Sequence, residues 1–292
     1  MRSSVFNASL LTAFILFVLI GTHSTDAFGQ GKTGHKMGSK EFCSNNDYGS
    51  DNRTGFSEVR EFTLPATGRL SVDGGKNGGI SVKAAAVSEI QVKACVNTWA
   101  ETADAARSAA AAIRISNSGT IKAEGPDENS HWSVSYLITV PRNTSLDLSA
   151  KNGGISIAGV EGDLNFETVN GGLGLKDLAG NVRGRTVNGG ISLELSGNSF
   201  IGSGLDVTTT NGGVHLSIPQ NFAANIETGT VNGGFKSDVP ELNVTTEDVK
   251  GDWGGGRRTK QINTAINGGG APIRLKTTNG GVKISVSDET KL

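Results

Sequence analysis

The chain has 292 residues, 36% of them hydrophobic and only 5% aromatic, with 42 glycines against 6 prolines. Glycine at roughly twice its usual share but without a three-residue period excludes collagen, and 27 basic against 28 acidic residues exclude a self-repelling disordered chain. A net charge of −1 gives no basic field for nucleic acid, so a glycine-punctuated folded β protein remains.

In chain order, Arg2, the apolar run Leu10 to Ile20 and the stretch ending Thr25-Asp26-Ala27 read as a secretory signal over residues 1–27. The apolar run is too short to span a bilayer, and no later run is longer, so no membrane span is expected once the signal is removed. The expected location is therefore exported: periplasmic, cell-surface or secreted. Residues 28–55 form a polar lead-in. Cys43 and Cys95, the two cysteines, are expected to pair in an oxidising compartment and pin the N-terminal tail.

Short strand-like runs come next, near Glu58 to Phe62, Arg69 to Val72, Gly79 to Lys83 and Ile90 to Val96. The alanine-rich stretch Thr98 to Ile113, with early acids, predicts a helix. Residues 56–149 are expected to cap one end of the C-terminal repeats.

Residues 150–292 carry an internal repeat. Asn-Gly-Gly begins at Asn77, Asn152, Asn170, Asn188, Asn211, Asn232, Asn267 and Asn279, and between Asn152 and Asn232 the steps are 18, 18, 23 and 21 residues. Alternating apolar residues follow each turn: Ile155 and Ile157, Leu173 and Leu175, Ile191 and Leu193, Val214 and Leu216, Val282 and Ile284. A period near 20 with two short strands per unit predicts an all-β single-stranded β-helix, or β-solenoid, with one N-terminal capping helix. The turn residues Asn152, Asn170, Asn188, Asn211, Asn232 and Asn279 are expected to use the positive φ open to Asn-Gly and to stack as an amide ladder. Thr168, Thr186, Thr209, Thr230 and Thr277, two positions earlier, are expected to turn inward and bond the backbone. Ser156, Ser192, His215 and Lys283 are expected to line one outward ladder.

Between Asn232 and Asn267 the repeat is interrupted by Trp253-Gly254-Gly255-Gly256-Arg257-Arg258. Trp253, Arg257 and Arg258 are the first candidates for contact with a ligand, since loops carry function on a rigid scaffold; the alternative is that Trp253 caps the apolar column. Gly29 to Gly34 fits G-x-G-x-x-G but lacks the flanking strand and helix. His35, His131 and His215 are too dispersed for a metal site, and no cofactor or metal is expected. A polysaccharide-cleaving enzyme would need paired carboxylates, drawn from Glu161, Asp163, Glu167, Asp177, Glu194 and Asp206. These acids fall about one per strand or turn, so the expectation is a protein that is not an enzyme.

The order of parts resembles a bacterial family of exported domains of unknown function labelled putative adhesins. The resemblance runs from the helix Glu101 to Ile113, through Ile115 to Lys122 and Trp132 to Pro141, into Leu146 to Ile157 and the Thr-Val-Asn-Gly-Gly repeats. It implies a right-handed single-stranded β-helix on the cell surface or in the periplasm, and supplies no catalytic residue. The chain departs from that pattern at Asp252 to Lys260. Adhesion to glycans or cell-envelope components is the expected role, with a polysaccharide-cleaving enzyme or a purely structural envelope protein as alternatives.

Overall fold

A computed structural model describes residues 42–43, 53–126, 131–242, 245–249 and 257–287, all within one compact unit, Met37–Leu292. The expected signal, residues 1–27, lies outside the described residues, as does most of the lead-in. Strands β1 (Thr54–Pro65), β2 (Arg69–Asp73), β3 (Ile80–Ala84) and β4 (Glu89–Ala100) precede helix α1 (Ala103–Ala112). After it come β5 (Arg114–Ser116), β6 (Thr120–Glu124), β7 (His131–Val140), β8 (Ser145–Ala150), β9 (Ile155–Ala158), β10 (Glu161–Asn170), β11 (Leu173–Lys176), β12 (Ala179–Asn188) and β13 (Ile191–Glu194). The remaining strands are β14 (Gly202–Asn211), β15 (Val214–Ile218), β16 (Ala224–Asn232), β17 (Phe235–Ser237), β18 (Thr245–Val249), β19 (Arg257–Ile266), β20 (Pro272–Asn279) and β21 (Val282–Val286).

These strands build two mixed sheets. One has ten strands in the order β1-β4-β7-β3-β9-β11-β13-β15-β21-β17, and the other eleven in the order β18-β19-β16-β20-β14-β12-β10-β8-β2-β6-β5. Their inner faces share one apolar core, the arrangement of a β-sandwich. This corrects the expected single-stranded β-helix. Its strands would be uniformly parallel and follow chain order; here β4 runs antiparallel to β1 and β7, and β19 antiparallel to β16 and β18. The C-terminal pair β20 and β21 is inserted between earlier strands, β20 between β14 and β16 and β21 between β15 and β17. Spacing alone misleads because every unit carries the same turn and the same apolar alternation, so each can pair with any other.

What the repeat does fix is register. Ile80, Ile155, Leu173, Ile191, Val214 and Val282 align across the ten-stranded sheet, and Leu70, Leu146, Leu164, Val182, Leu205, Ile273 and Ile226 across the other. All are at most 4% exposed, each contributing about 1.5–3 kcal/mol through burial. A one-residue slip would turn a whole strand inside out, which is why the period-2 pattern holds the register.

The Asn-Gly-Gly row is the second register device. Asn152 Nδ2 donates to Asn77 Oδ1 at 3.0 Å, and the amide chain continues through Asn170, Asn188, Asn211 and Asn279 to Asn232, each bond 2.7–2.8 Å long. Behind it, Thr168, Thr186, Thr209, Thr277 and Thr230 are buried and donate through Oγ1 to the carbonyls of Gly153, Gly171, Gly189, Gly212 and Gly280. The two rows should differ in cost. Thr186→Val leaves the Gly171 carbonyl without that buried donor and is expected to destabilise by about 2 kcal/mol, whereas Asn188→Ala, whose neighbours can turn to water, should cost about 1 kcal/mol. Urea unfolding midpoints of the two variants test that ordering.

Positive φ is not what this row requires. Of the Asn-Gly-Gly units, only Asn267-Gly268-Gly269 takes it, at 47°, 91° and 80°. That unit stands apart from the ladder: Asn267 Nδ2 donates instead to the carbonyls of Gln220 and Phe222.

At one end α1 lies against β1 and β4. Thr102 Oγ1 accepts from the Ala105 amide as its N-cap, and Arg60 of β1 donates to the carbonyls of Ala110 and Ile113 at its C-terminus. Thr98 Oγ1 ties β4 to the Ala106 carbonyl at 2.7 Å. The Cys43–Cys95 disulfide is formed, with a Cα–Cα distance of 5.3 Å, and no helix among the described residues is long and apolar enough to cross a membrane. A disulfide of this kind belongs to an oxidising, extracytoplasmic compartment.

Candidate functional site: the outer face of the eleven-stranded sheet

Strand alternation that buries Leu148, Phe166, Val207 and Leu275 sends their neighbours outward. Asp147, Asn165, Arg183, Asp206, Arg274 and Glu227 form one register row across β8, β10, β12, β14, β20 and β16. Asp73, Ser149, Glu167, Arg185, Thr208 and Lys276 form a second, beside it, from β2 to β20. With strands about 4.8 Å apart, each row extends for about 24 Å.

The rows are unequal along their length. Toward β16, Arg274 Nε donates to Glu227 Oε2 at 2.7 Å and Lys276 Nζ to Oε1. The hydrogen bond from Lys276, then that from Arg274, holds the Glu227 carboxyl below its ordinary pKa. In the middle, Arg183 and Arg185 make no ion pair within 4 Å among the described residues. Arg183 stands between Asn165 and Asp206, and Arg185 between Glu167 and Thr208. A shallow cleft of about 400 Å³ opens here, lined by both arginines with Asp147, Glu167 and Asp206. Gly184 is inward between them; a Cβ there would strike the Phe166 ring, which fills the space below. Two guanidinium forks and three carboxylates offer donors and acceptors side by side with little net charge. That mixture suits the hydroxyls of a sugar polymer better than an ion of either sign.

The outer face of the ten-stranded sheet is different. Ser156, Gly174, Ser192, His215, Lys283 and Lys236 share one row, so the expected outward ladder is present, broken by Gly174. His215 Nε2 lies 2.9 Å from Ser285 Oγ, and burial, then the Lys283 charge, pushes its pKa down. An open depression of about 610 Å³ borders His215, Phe235, Lys236 and Lys283.

The acids singled out for glycoside chemistry do not pair in register. Glu167 faces Ser149 and Arg185, Asp206 faces Arg183 and Arg274, and Asp163 faces Asn181. Glu194 is bridged to Lys176 at 2.7 Å, and Glu161 lies 3.3 Å from Arg142 Nε. Trp253 lies outside the described residues. Arg257 and Arg258 begin β19, opposite Val249 and Asp248, in the same sheet as the cleft but four strands from β12; their side chains are outside the described residues. The Arg183-Gly184-Arg185 cleft was not singled out from the sequence. Its signal is the pair of arginines at outward positions of a strand whose homologous positions in the preceding unit are Asn165 and Glu167.

The chain matches no family model, and no curated protein matches it. Among solved structures it is similar to a putative cell adhesion protein from Clostridium sporogenes, at 10% identity over 80% of this chain and 100% of that one, with a TM-score of 0.39. It is likewise similar to a putative adhesin from Bacteroides fragilis, at 10% identity over 80% and 97% with a TM-score of 0.32. A putative lipid binding protein from Parabacteroides distasonis shares 9% identity over 80% and 97%, with a TM-score of 0.27.

Proposed function

We propose that this protein is a non-enzymatic binding module of the exported space, an adhesin or cell-envelope component that holds a glycan along the outer face of its eleven-stranded sheet. The carrying observation is the cleft at Arg183 and Arg185, where two guanidinium groups without an ion pair among the described residues and three carboxylates line an open groove between rigidly registered strands. Strands locked by the core and the amide ladder fix the spacing of those groups, so the ordering cost of binding is confined to the side chains. Arg257 and Arg258, which begin β19 of the same sheet, are a second contact region in this reading; Trp253, outside the described residues, is a candidate beside them in sequence. The sequence resemblance to exported adhesins with Asn-Gly repeats belongs with this reading too.

The test passes the purified protein over a panel of bacterial and plant polysaccharides, scoring retention and new reducing ends. Retention without new ends is expected. The double variant Arg183→Ala, Arg185→Ala should lose at least tenfold in retention, while its stability stays within about 0.5 kcal/mol of the parent because both side chains are on the surface. Retention unaffected by the double variant would remove this face from the reading, and new reducing ends abolished by changing one acid would replace it with an enzyme.

A further inference from the structure

The ten-stranded sheet ends at β17, and there its outer face sets like charges against each other. Lys236 of β17 lies directly opposite Lys283 of β21, and Lys283 lies opposite His215 of β15. With strands about 4.8 Å apart, the three positions span about 10 Å. Like charges opposed across strands are unfavourable, and nothing nearby offsets these. Strands β11, β15, β17 and β21 carry no acid, and Glu194, the single acid of β13, is bridged to Lys176 at 2.7 Å. Asp238 follows β17 but makes no ion pair within 4 Å with either lysine, and neither lysine makes one elsewhere among the described residues.

The open depression of about 610 Å³ beside this row supplies further donors. Gly190, Gly213, Gly281 and Gly234, the second glycines of four Asn-Gly-Gly units, line it and are exposed. Their amides donate to no acceptor among the described residues. Backbone amides of this kind suit an oxyanion, as do lysine point charges. Phe235, half-buried because no strand lies beyond β17, is also on the lining. His215 faces Ser192 across β13 and Lys283 across β21, and its Nε2 lies 2.9 Å from Ser285 Oγ. Burial, then the Lys283 charge, holds that imidazole toward its neutral form.

We infer that this end of the ten-stranded sheet binds a phosphate monoester of a small organic molecule, the phosphate between Lys283 and Lys236 and beside His215, the organic body along the glycine strip. A phosphate monoester brings nearly two negative charges and three strong acceptor oxygens, which answers two opposed lysines and the donors around them. A carboxylate brings one charge and leaves part of the repulsion in place. The inference stands apart from the glycan reading, since it uses the other sheet and none of the same residues.

The probes are glucose 6-phosphate, inorganic phosphate and glucuronate, titrated into the intact protein with binding followed by calorimetry and by NMR of the glycine amides and the His215 ring. Glucose 6-phosphate is expected to bind saturably, at least tenfold more tightly than glucuronate and at least threefold more tightly than inorganic phosphate. The Gly213 and Gly281 amide signals should move, and the His215 titration should shift to higher pH, because a bound anion favours the imidazolium. Lys283→Gln and Lys236→Gln should each weaken the ester at least fivefold, whereas Lys83→Gln, which removes an equal charge from β3 of the same sheet, should leave it unchanged. The Arg183→Ala, Arg185→Ala variant should also bind the ester like the parent, so this result and the glycan result can fail separately. Phosphatidate in phosphatidylcholine vesicles carries the same monoester on a lipid; co-sedimentation that Lys283→Gln abolishes would place the ester on a membrane, and its absence beside glucose 6-phosphate binding would place it on a soluble molecule. No saturable binding of glucose 6-phosphate, equal affinity for glucuronate or inorganic phosphate, or equal losses in Lys83→Gln and Lys283→Gln would each overturn the inference.

Discussion

Gly212→Ala is expected to destabilise the protein by about 3 kcal/mol or more, while Gly213→Ala, one residue on, should leave stability within about 1 kcal/mol of the parent. The difference comes from the stacking of the Asn-Gly-Gly units. A Cβ on Gly212 would drive into the Gly189 carbonyl and the backbone atoms beside it; that carbonyl accepts from Thr209 Oγ1 and the Gly189 amide donates to the Asn211 carbonyl, so this backbone cannot rotate away freely. On Gly213 the nearest atom to a Cβ is the Gly281 carbonyl oxygen at 3.4 Å, an ordinary contact. Neither glycine has positive φ, so conformational freedom separates them no more than sequence does. The same asymmetry recurs in the row, where Gly153, Gly171, Gly189 and Gly280 are each closed to a Cβ by the first glycine of an adjacent unit. Urea unfolding of the two alanine variants decides the matter. Equal losses would mean that the pair acts through turn flexibility, and no loss in Gly212→Ala would mean that the rows can part without cost.

That row shows what could be read from the residues alone. The amide ladder and the inward threonines follow from period and alternation, because both are consequences of identical units placed in register. The disulfide follows from compartment and count. The reason for glycine does not: positive φ is a property of one residue and its neighbours in sequence, whereas the Gly189 carbonyl that excludes a side chain at position 212 belongs to another strand. Strand order was hidden for a related reason. Nothing in Asn279-Gly280-Gly281 distinguishes it from Asn232-Gly233-Gly234, yet β20 and β21 pair between strands that precede them in the chain, and the single-stranded β-helix expected from equal spacing gives way to two mixed sheets. The cleft at Arg183 and Arg185 lies between these cases. Its residues sit at outward positions that alternation identifies, but their freedom from ion pairs depends on Asp206 and Glu167 across the strands.

Replacing both cysteines by alanine is expected to remove about 4 kcal/mol, the loop-entropy contribution of a bridge between residues 52 apart. Against a total stability of about 5–15 kcal/mol for a domain, that is a large share. The native sheet should nevertheless survive. Cys95 points outward from β4, in register with Val59 of β1 and Ser135 of β7, so the bridge lies over the outer face and not in the core. Beneath it, β1 and β4 pair over twelve residues, α1 packs on both, and Arg60 closes the helix end. The bridge therefore acts chiefly by restricting the unfolded chain. Far-UV circular dichroism of the double variant should match the parent while the urea midpoint falls, and reduction of the parent with dithiothreitol should produce the same fall. Loss of strand signal in native buffer would show instead that the bridge holds β1 in place. The matched result would give export an energetic basis: in a reducing cytoplasm the chain would forgo about 4 kcal/mol, and it would gain its full stability only where the Cys43–Cys95 bond can form.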